Sequence, residues 1–355
     1  MTVARIRLGA GAEFDLIRRF LEDDRSASGH DAGAAGADAG TAPPVDGVRI
    51  GPGDDCAVVA GDGIALSVDM SVEGVHFTRE WLEPEEIGYR ATAAALSDLA
   101  AVAATPIGIL VALAVTADDA AAIATRIMRG TRAAAADCGA ILLGGDLTRT
   151  TGPLVIDVVA VGSAARPILR SGAQPGDAVW VTGRLGAAAA AVREWKSGRS
   201  PPDDAREAFA RPRPRTAEAV WLARHAAVTA LIDLSDGLGG DVGHIAAASG
   251  VQITLDAAAI PVHPAAVAAT THYDDALRLA LAGGDDYELC FTAGEDAIEA
   301  LRAAFTDAFE LLLTRVGTVS AVTGSDAPGV LLRDASGRID VLRSGGYDHL
   351  RENSM

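Results

Sequence analysis

Apolar residues along the chain occur in two patterns, helical spacing and short continuous runs, which together predict a mixed α/β fold. In the first half, helical spacing predicts helices over residues 12–22, 84–104 and 117–137. Short apolar runs predict strands at 56–60, 64–69, 107–115 and 154–161. Because strands and helices alternate, the fold class is predicted to be α/β or α+β.

The second half repeats this alternation after a turn-rich boundary at 163–177. Strands are predicted at 178–182, 251–255 and 287–292, helices within 183–191 and 274–282, and a strand-turn-helix unit at 231–249. The Pro- and Arg-rich stretch 198–215 predicts a rigid extended segment around its RPRPR motif. Residues 24–46 are rich in Gly, Ala and Asp without apolar periodicity, which predicts a flexible loop.

Composition excludes several classes of protein. A length of 355 residues corresponds to about two domains, and the net charge of −18 makes nucleic acid and anionic membranes poor partners. Lys196 is the only lysine and no glycine-rich loop precedes it, which excludes a Walker phosphate loop and a protein-kinase lysine. Three scattered cysteines, an N-terminus without an apolar stretch and the absence of a spanning segment predict a soluble, cytoplasmic protein.

Aspartates recur beside the apolar runs, and most of them are predicted to lie at a strand end or a helix start. The sites are Gly53-Asp54-Asp55, Val68-Asp69, Ser97-Asp98, Gly144-Gly145-Asp146, Asp233-Leu234-Ser235-Asp236 and Gly284-Asp285-Asp286. A single such Asp is more often a helix cap or a turn former. Six together favour binding of hard divalent cations, while the glycines permit close approach of phosphates. The residues alone therefore favour a Mg-nucleotide enzyme.

Nine motifs, in order along residues 11–350, extend this interpretation. They are GPGDDCAVV, SVDMSVEGVHF, GYRATAAALSDLAAVAATP, LLGGDLTRT, RSGAQPGDAVWVTGRLG, RPRPR, IDLSDGLGGDVGHIAAAS, GGDDYELCFT and GGYDHL. In this order they closely resemble the thiamine-monophosphate kinase family, a member of the ATP-dependent superfamily of aminoimidazole ribonucleotide synthetase and selenophosphate synthetase. The resemblance implies ATP-dependent, Mg²⁺-dependent phosphorylation of thiamine monophosphate to thiamine diphosphate, by direct in-line transfer of the γ-phosphoryl group.

The resemblance also implies roles for individual residues. Metal ligands would be Asp55, Ser67, Val68, Asp69, Asp98, Asp146, Asp233 and Asp236. Val68 replaces a hydroxyl residue, so its contact would come from the backbone carbonyl. ATP would be contacted by Gly145, Asp146, Arg170 and Ser235, and the thiamine phosphate by His76, Asp285 and Tyr347. Asp285 replaces a common Glu, which shortens its reach.

In architecture, the resemblance implies an N-terminal ATP- and Mg-binding α/β domain over residues 1–165 and a C-terminal α/β domain over residues 166–355. It further implies a homodimer in which N-terminal strands form a shared barrel. Two alternatives stay open. One is another reaction of the superfamily, such as selenophosphate or carbamoyl activation, although 24–46 lacks the cysteine that selenophosphate synthetase uses. The other is a non-catalytic nucleotide or Mg²⁺ sensor.

The sequence predicts no general base, and several charged residues are assigned supporting or structural roles. His76 is predicted to contact substrate but not to act as a general base, because a phosphate monoester with a second pKa of about 6 is largely ionised at neutral pH. Catalysis would then rest on the metal cluster formed by Asp55, Asp69, Asp98, Asp146 and Asp233. Arg211 and Arg215 are interpreted as structural. Asp54 and Asp286 are interpreted as caps or supporting partners.

Overall fold

The computed structural model describes residues 48–50, 58–59, 63–164, 166–323 and 327–342. These residues belong to two compact units. Unit 1 comprises the described residues within Met1–Leu99 and Thr105–Ala165, and unit 2 those within Ala100–Ala104 and Arg166–Met355.

Unit 1 is built on a four-stranded sheet with the order β3-β6-β4-β5. Its strands and helices are β3 Ile64–Val72, α1 Pro84–Ala101, β4 Thr105–Val115, α2 Ile123–Asp137, β5 Ile141–Arg149 and β6 Val155–Ser163. β6 pairs antiparallel with both β3 and β4, whereas β4 and β5 are parallel. A separate antiparallel pair joins β1 Val48–Ile50 and β2 Val58–Val59.

The longest helix of unit 1 begins with a well-formed N-terminus. Pro84 occupies the first turn, where its missing N–H costs nothing, and Glu85 and Glu86 complement the helix dipole there. The Glu86 carboxylate accepts a hydrogen bond from the Glu83 N–H at 2.9 Å, as in a capping box. The apolar length of α1 is buried from Ala91 to Leu96, so the helix is stabilised by tertiary packing.

Unit 2 is built on a seven-stranded sheet with the order β13-β12-β9-β11-β7-β10-β8. The strands are β7 Ala178–Thr182, β8 Val228–Asp233, β9 Val251–Asp256, β10 Leu289–Ala293, β11 Leu313–Ala321, β12 Gly329–Arg333 and β13 Ile339–Val341. The helices are α3 Ala187–Lys196, α4 Asp203–Ala210, α5 Thr216–His225, α6 Leu238–Ser249, α7 Pro264–Ala268, α8 Tyr273–Ala282, α9 Glu295–Glu299 and α10 Arg302–Phe309, with a 3₁₀ turn at Ala257–Ala259.

The core of unit 2 lies around the central strands. Every residue of β7 and β10 is buried, which means that both faces of the sheet are covered at its centre. Trp180, Phe291 and Phe305 are fully buried in one apolar cluster with residues of α5 and α9. This rigid centre holds the turns that leave β8 and enter β10.

The predicted α/β class is confirmed, and most predicted elements are present. As predicted, the RPRPR part of 198–215 is not helical, and the helix α4 precedes it. Two predictions are wrong in detail. Residues 117–122 are turns, so the second helix begins at Ile123. Asp69 and Asp146 lie inside strands β3 and β5, not at an element's end.

The strand at 141–149 was hidden by its Gly-Gly pair, because glycine disfavours strands. The predicted helix at 12–22, the loop at 24–46 and the closing motif GGYDHL lie outside the described residues. Among the described helices, none combines the length and apolar character needed to cross a membrane.

Candidate functional site

In unit 1, strand β3 and helix α1 bring together two predicted metal ligands. Ser67 and Asp69 are two residues apart, so both side chains project from the same face of β3. Asp98, in the last turns of α1, accepts a short hydrogen bond from the Ser67 hydroxyl across 31 residues of sequence. Ser67, Asp69 and Asp98 are all partly exposed, so their oxygen atoms lie at the rim of the unit 1 core.

The other face of β3 carries a row of exposed apolar side chains. Ile64, Leu66, Val68 and Met70 alternate with the partly buried positions, and 43–68% of each is exposed. Val68 therefore directs its side chain away from Ser67 and Asp69, which leaves only its backbone for the predicted metal contact.

Asp146 lies far from these residues. It is an exposed residue of β5. In the register of the sheet it lies beside Ala112 of β4, Ala112 lies beside Asp157 of β6, and Asp157 lies beside Met70 of β3. Asp146 is therefore on the same face of the sheet as Met70, which is the apolar face. Strands β3 and β5 are the two edges of the described four-stranded sheet, three strand spacings or about 14 Å apart. Asp69 and Asp146 thus lie on opposite faces and at opposite edges, too far apart to share one ion within a single copy.

Strand packing explains why residue 145, the predicted ATP contact beside Asp146, is a glycine. A Cβ atom at this position would collide with the backbone carbonyl oxygen of Val111 in β4. A register irregularity between Ile109 and Leu110 accompanies this close approach of β4 and β5. The glycine therefore serves strand packing, whatever its contact with a nucleotide.

His76 follows β3, and a backbone hydrogen bond sets its tautomer. The Val72 N–H donates to His76 Nδ1 at 3.0 Å. Because a backbone N–H can only donate, Nδ1 is unprotonated and the proton of the neutral ring is on Nε2. His76 thus presents an N–H donor, which suits contact with an anion.

In unit 2, two acidic turns are joined by backbone hydrogen bonds. The turn 233–236 follows β8, and the loop 283–288 precedes β10, which pairs with β8. Asp285 N–H donates to the Ser235 carbonyl and Tyr287 N–H to the Leu234 carbonyl, both at 2.8 Å. The Leu234 N–H in turn donates to the Glu288 carbonyl at 2.8 Å. These hydrogen bonds bring together four residues that were predicted from separate motifs: Asp233, Ser235, Asp236 and Asp285.

A further carboxylate at this place was not predicted from sequence. Asp241, in the first turn of α6, is buried and accepts a 3.1 Å hydrogen bond from the Asp236 N–H. Burial, followed by the charges of Asp233 and Asp236, raises the pKa of Asp241 to about 8. Ligand atoms of Asp236, Asp241 and His244 lie within 4.8 Å of one another. The D-x₄-D-x₂-H spacing at the start of a predicted helix was the available signal.

Arg170 is exposed and lies beside strand β8, which leads into the acidic turn. The preceding Leu169 carbonyl accepts a 3.1 Å hydrogen bond from the Leu231 N–H, four residues before Ser235. The Arg170 carbonyl accepts from the hydroxyl of Ser249, the last residue of α6, at 3.4 Å.

The RPRPR motif is anchored by its last arginine. Arg215 makes an ion pair with Glu288 at 2.5 Å and a second one with Glu218 at 3.4 Å, and all three side chains are largely buried. Thr182 also donates to the Glu288 carboxylate at 2.5 Å. These contacts support a structural role for Arg215.

A cavity of about 410 Å³ lies beside this anchor. Its lining includes Arg184, Arg211, Arg213, Asp285 and Asp286. Asp286 accepts a 2.8 Å hydrogen bond from the Gly186 N–H, just before α3, as expected for a capping partner. Asp285 also contributes to the cavity wall, where a ligand could reach it.

Asp55 and Tyr347, the remaining predicted site residues, lie outside the described part of the chain. The donor atoms that are described fit Mg²⁺, because they are carboxylate and hydroxyl oxygens. Burial, followed by the charges of Asp233 and Asp236, raises the pKa of Asp241, and a bound cation would offset the part that comes from those charges.

Comparison with known proteins gives a consistent result over the whole chain. Family models of AIR synthase related proteins match residues 53–164 with the N-terminal domain and residues 174–327 with the C-terminal domain. A thiamine-monophosphate kinase of Salmonella typhimurium is 35% identical over 351 residues, which cover 96% of this chain and 98% of that protein.

Solved structures give the same relationship. A thiamine-monophosphate kinase from Stenotrophomonas maltophilia is 34% identical, with a TM-score of 0.74 over 90% of this chain and 96% of that one. A structure of AaThiL complexed with AMPPCP and TMP is 26% identical, with a TM-score of 0.70 over 81% of this chain and 87% of that one. With both domains matched and one relative aligned over nearly its entire length, the chain belongs to the thiamine-monophosphate kinase family of AIR synthase related proteins.

Proposed function

We propose that this protein is a thiamine-monophosphate kinase that transfers the γ-phosphoryl group of ATP to thiamine monophosphate. The observation that carries the proposal is the 35% identity to a thiamine-monophosphate kinase over 98% of that protein's length. AaThiL, which has the same fold, is complexed with the ATP analogue AMPPCP and with TMP. Both ligand classes therefore suit this scaffold.

The reaction is a direct displacement. A phosphate oxygen of thiamine monophosphate forms a bond to the γ-phosphorus of ATP, and the bond from that phosphorus to the bridging β,γ-oxygen breaks. The products are thiamine diphosphate and ADP. Because the attacking phosphate is largely ionised at neutral pH, no residue has to remove a proton from it. The protein must instead hold two anions together against their repulsion.

Oxygen ligands in each unit would hold Mg²⁺ ions for this purpose. The residues concerned are Ser67, Asp69, Asp98 and Asp146 in unit 1, with the Val68 carbonyl, and Asp233 and Asp236 in unit 2. Bound Mg²⁺ would neutralise phosphate charge and so stabilise the transition state. This assignment of several Mg²⁺ ions is supported by the oxygen-only donor set that Ser67 and Asp98 form.

His76 would contact the acceptor as a hydrogen-bond donor. Its Nδ1 lone pair accepts from the Val72 N–H, so Nε2–H is the ring donor that could bind a phosphate oxygen. Gly145, Asp146, Arg170 and Ser235 are proposed for ATP. Asp285 is proposed for the thiamine part, whose thiazolium ring is a cation that a carboxylate attracts.

The test is to incubate the purified full chain with ATP, Mg²⁺ and thiamine monophosphate and to follow thiamine diphosphate by chromatography. Stoichiometric thiamine diphosphate and ADP are expected. Parallel reactions contain thiamine as acceptor, EDTA, or no acceptor. ADP without thiamine diphosphate would contradict the proposal, and ATP binding without any turnover would favour the sensor alternative.

We also propose a homodimer in which a second copy covers the exposed apolar row of β3. Leu66 and Val68 are 68% and 63% exposed, and β3 is an edge strand of the described sheet. An exposed apolar edge invites pairing with another chain. A second copy whose β5 edge approaches β3 would also place the strand that carries its Asp146 beside the strand that carries Asp69, which a single copy cannot do.

Sedimentation of the protein and of a Leu66→Lys variant tests this association. The wild-type chain is expected to sediment as a dimer, and the variant as a monomer with normal secondary structure. A dimer that the Lys side chain does not weaken would contradict the proposed interface.

A cytoplasmic location is likewise proposed. Its support is that neither of the two described cysteines, Cys138 and Cys290, is in a disulfide. Burial raises the pKa of the Cys290 thiol, which keeps it unreactive.

A further inference from the structure

The loop before β10 has an unusual backbone. Asp285 and Tyr287 have φ angles of 62° and 51°, and they are two of four described non-glycine residues with positive φ. Residues other than Gly, Asn and Asp rarely adopt this conformation, and such strain concentrates at ligand-binding sites. Hydrogen bonds to the carbonyls of Ser235 and Leu234 hold both residues in place.

This backbone brings the Tyr287 hydroxyl to the Asp285 carboxylate. Tyr287 Oη donates to Asp285 Oδ1 at 3.1 Å. Tyr287 is 7% exposed, so packing around the ring determines where its hydroxyl lies. A buried phenol that donates to a carboxylate restricts the rotation of the carboxylate about χ2.

Of this pair, only Asp285 lines the cavity of about 410 Å³ in unit 2. Asp285 is among the lining residues and Tyr287 is not. Tyr287 can therefore influence a ligand in the cavity through Asp285, without a contact of its own.

We propose that Tyr287 is a positioning residue for the acceptor substrate, which orients the Asp285 carboxylate towards the thiamine part. This inference rests on the proposed function. An Asp side chain is short, so its reach to a cationic ring depends on its orientation. The Tyr287 hydroxyl supplies that orientation, and the strained backbone brings the two side chains together.

The test is the Tyr287→Phe variant, which removes only the hydroxyl. The KM for thiamine monophosphate is expected to rise about tenfold, the size of effect typical for one hydrogen bond to a charged group. The KM for ATP is expected to stay unchanged, and kcat to change less than about twofold. A general structural defect would affect both substrates.

A double-mutant cycle tests whether Tyr287 acts through Asp285. Asp285→Asn alone is expected to raise the KM for thiamine monophosphate. In that background, Tyr287→Phe is expected to add less than about a twofold effect, because the group that it positions has lost its charge.

Tyr89→Phe is a matched control. Tyr89 is buried to the same extent, at 6% exposure, and its hydroxyl donates to Asp137 Oδ2 at 2.9 Å in unit 1. This variant is expected to keep the wild-type KM for both substrates. The two Phe variants are expected to lower the melting temperature by similar amounts.

Three results would overturn the inference. The first is an unchanged KM for thiamine monophosphate in Tyr287→Phe or in Asp285→Asn. The second is a full additional effect of Tyr287→Phe in the Asp285→Asn background. The third is an equal rise in the KM for ATP. If the wild-type protein made no thiamine diphosphate, the proposed function itself would fail, and the wild-type assay shows this before any variant is made.

Discussion

The two units present their acidic residues in different ways. In unit 2, Asp233, Ser235, Asp236 and Asp285 occupy two turns that backbone hydrogen bonds hold together. In unit 1, the predicted ligands lie on long regular elements, with Ser67 and Asp98 in contact but Asp146 at the far edge of the sheet.

The difference shows how secondary structure governs a site. Turns can converge because the chain reverses at them, so ligands from separate motifs meet within one copy. Strands keep a fixed spacing of about 4.8 Å, so ligands on the two edges of a sheet stay apart. Unit 2 can therefore assemble its acidic group alone, whereas we propose that unit 1 needs a second copy.

The largest expected effect comes from the carboxylate of Asp98. Asp98→Asn removes a charge from the proposed metal-binding group but keeps the size of the side chain, so turnover is expected to fall at least about 10³-fold. The measurement is kcat for thiamine diphosphate formation. Asp118→Asn, an exposed residue before α2, is the control and should retain activity. Activity near wild type in Asp98→Asn would remove unit 1 from the proposed site.

The next largest effect concerns the support of the acidic loop in unit 2. Glu288→Gln leaves the buried Arg215 guanidinium without its main counter-charge, which is expected to cost about 3 kcal/mol in the free energy of unfolding. Urea unfolding measures this loss. Asp275→Asn breaks the exposed pair with Arg278 at 2.5 Å and should cost less than about 1 kcal/mol. Equal losses would mean that burial of the Arg215–Glu288 pair is unimportant.

A smaller effect tests the close approach of β4 and β5. Gly145→Ala places a methyl group against the Val111 carbonyl, which is expected to cost about 2 kcal/mol in the free energy of unfolding. At Gly144, the nearest atom to an added Cβ is Leu110 Cδ2 at 3.5 Å, an ordinary contact. Gly144→Ala should therefore cost clearly less. If urea unfolding ranks the two variants in the opposite order, the register of β5 is wrong.

The smallest effect is a pH dependence at the start of α7. His263 Nδ1 accepts from the Ala265 N–H at 3.1 Å, and burial lowers the pKa of His263 while Asp204 opposes this shift. Between the lowered pKa of His263 in the folded protein and the unfolded value of about 6.5, the unfolded chain binds more protons than the folded one. The free energy of unfolding should therefore rise with pH through this window. The change is expected to be under about 1 kcal/mol. His263→Asn keeps a cap without titrating and should flatten the profile of melting temperature against pH. An unchanged slope would exclude His263 as its source.

Sequence patterns predicted the fold class and most elements, because apolar periodicity reports burial directly. The residues in unit 2 were predicted because Asp233 and Asp285 adjoin apolar runs and match motifs of the family. The structure shows in addition that these runs are strands that pair with each other. The strand that carries Asp146 was missed, since its glycines match a turn as well as a strand.

Asp241 and Tyr287 were not selected from the sequence. Their roles depend on contacts made by folding, with the Asp236 N–H in one case and the Asp285 carboxylate in the other. The opposite placement of Asp69 and Asp146 was equally invisible, because strand order is not encoded in local periodicity. The shared barrel stays a prediction.

Mixing two inactive variants tests the proposed difference between the units most directly. Asp69→Asn and Asp146→Asn are each expected to be inactive, and the two proteins are unfolded together, refolded and assayed for thiamine diphosphate. If each site takes Asp69 from one copy and Asp146 from the other, half of the dimers are mixed and each has one intact site, so about a quarter of wild-type activity should return. If no activity returns although mixed dimers form, both residues serve within one copy, and the proposed need of unit 1 for a second copy is wrong.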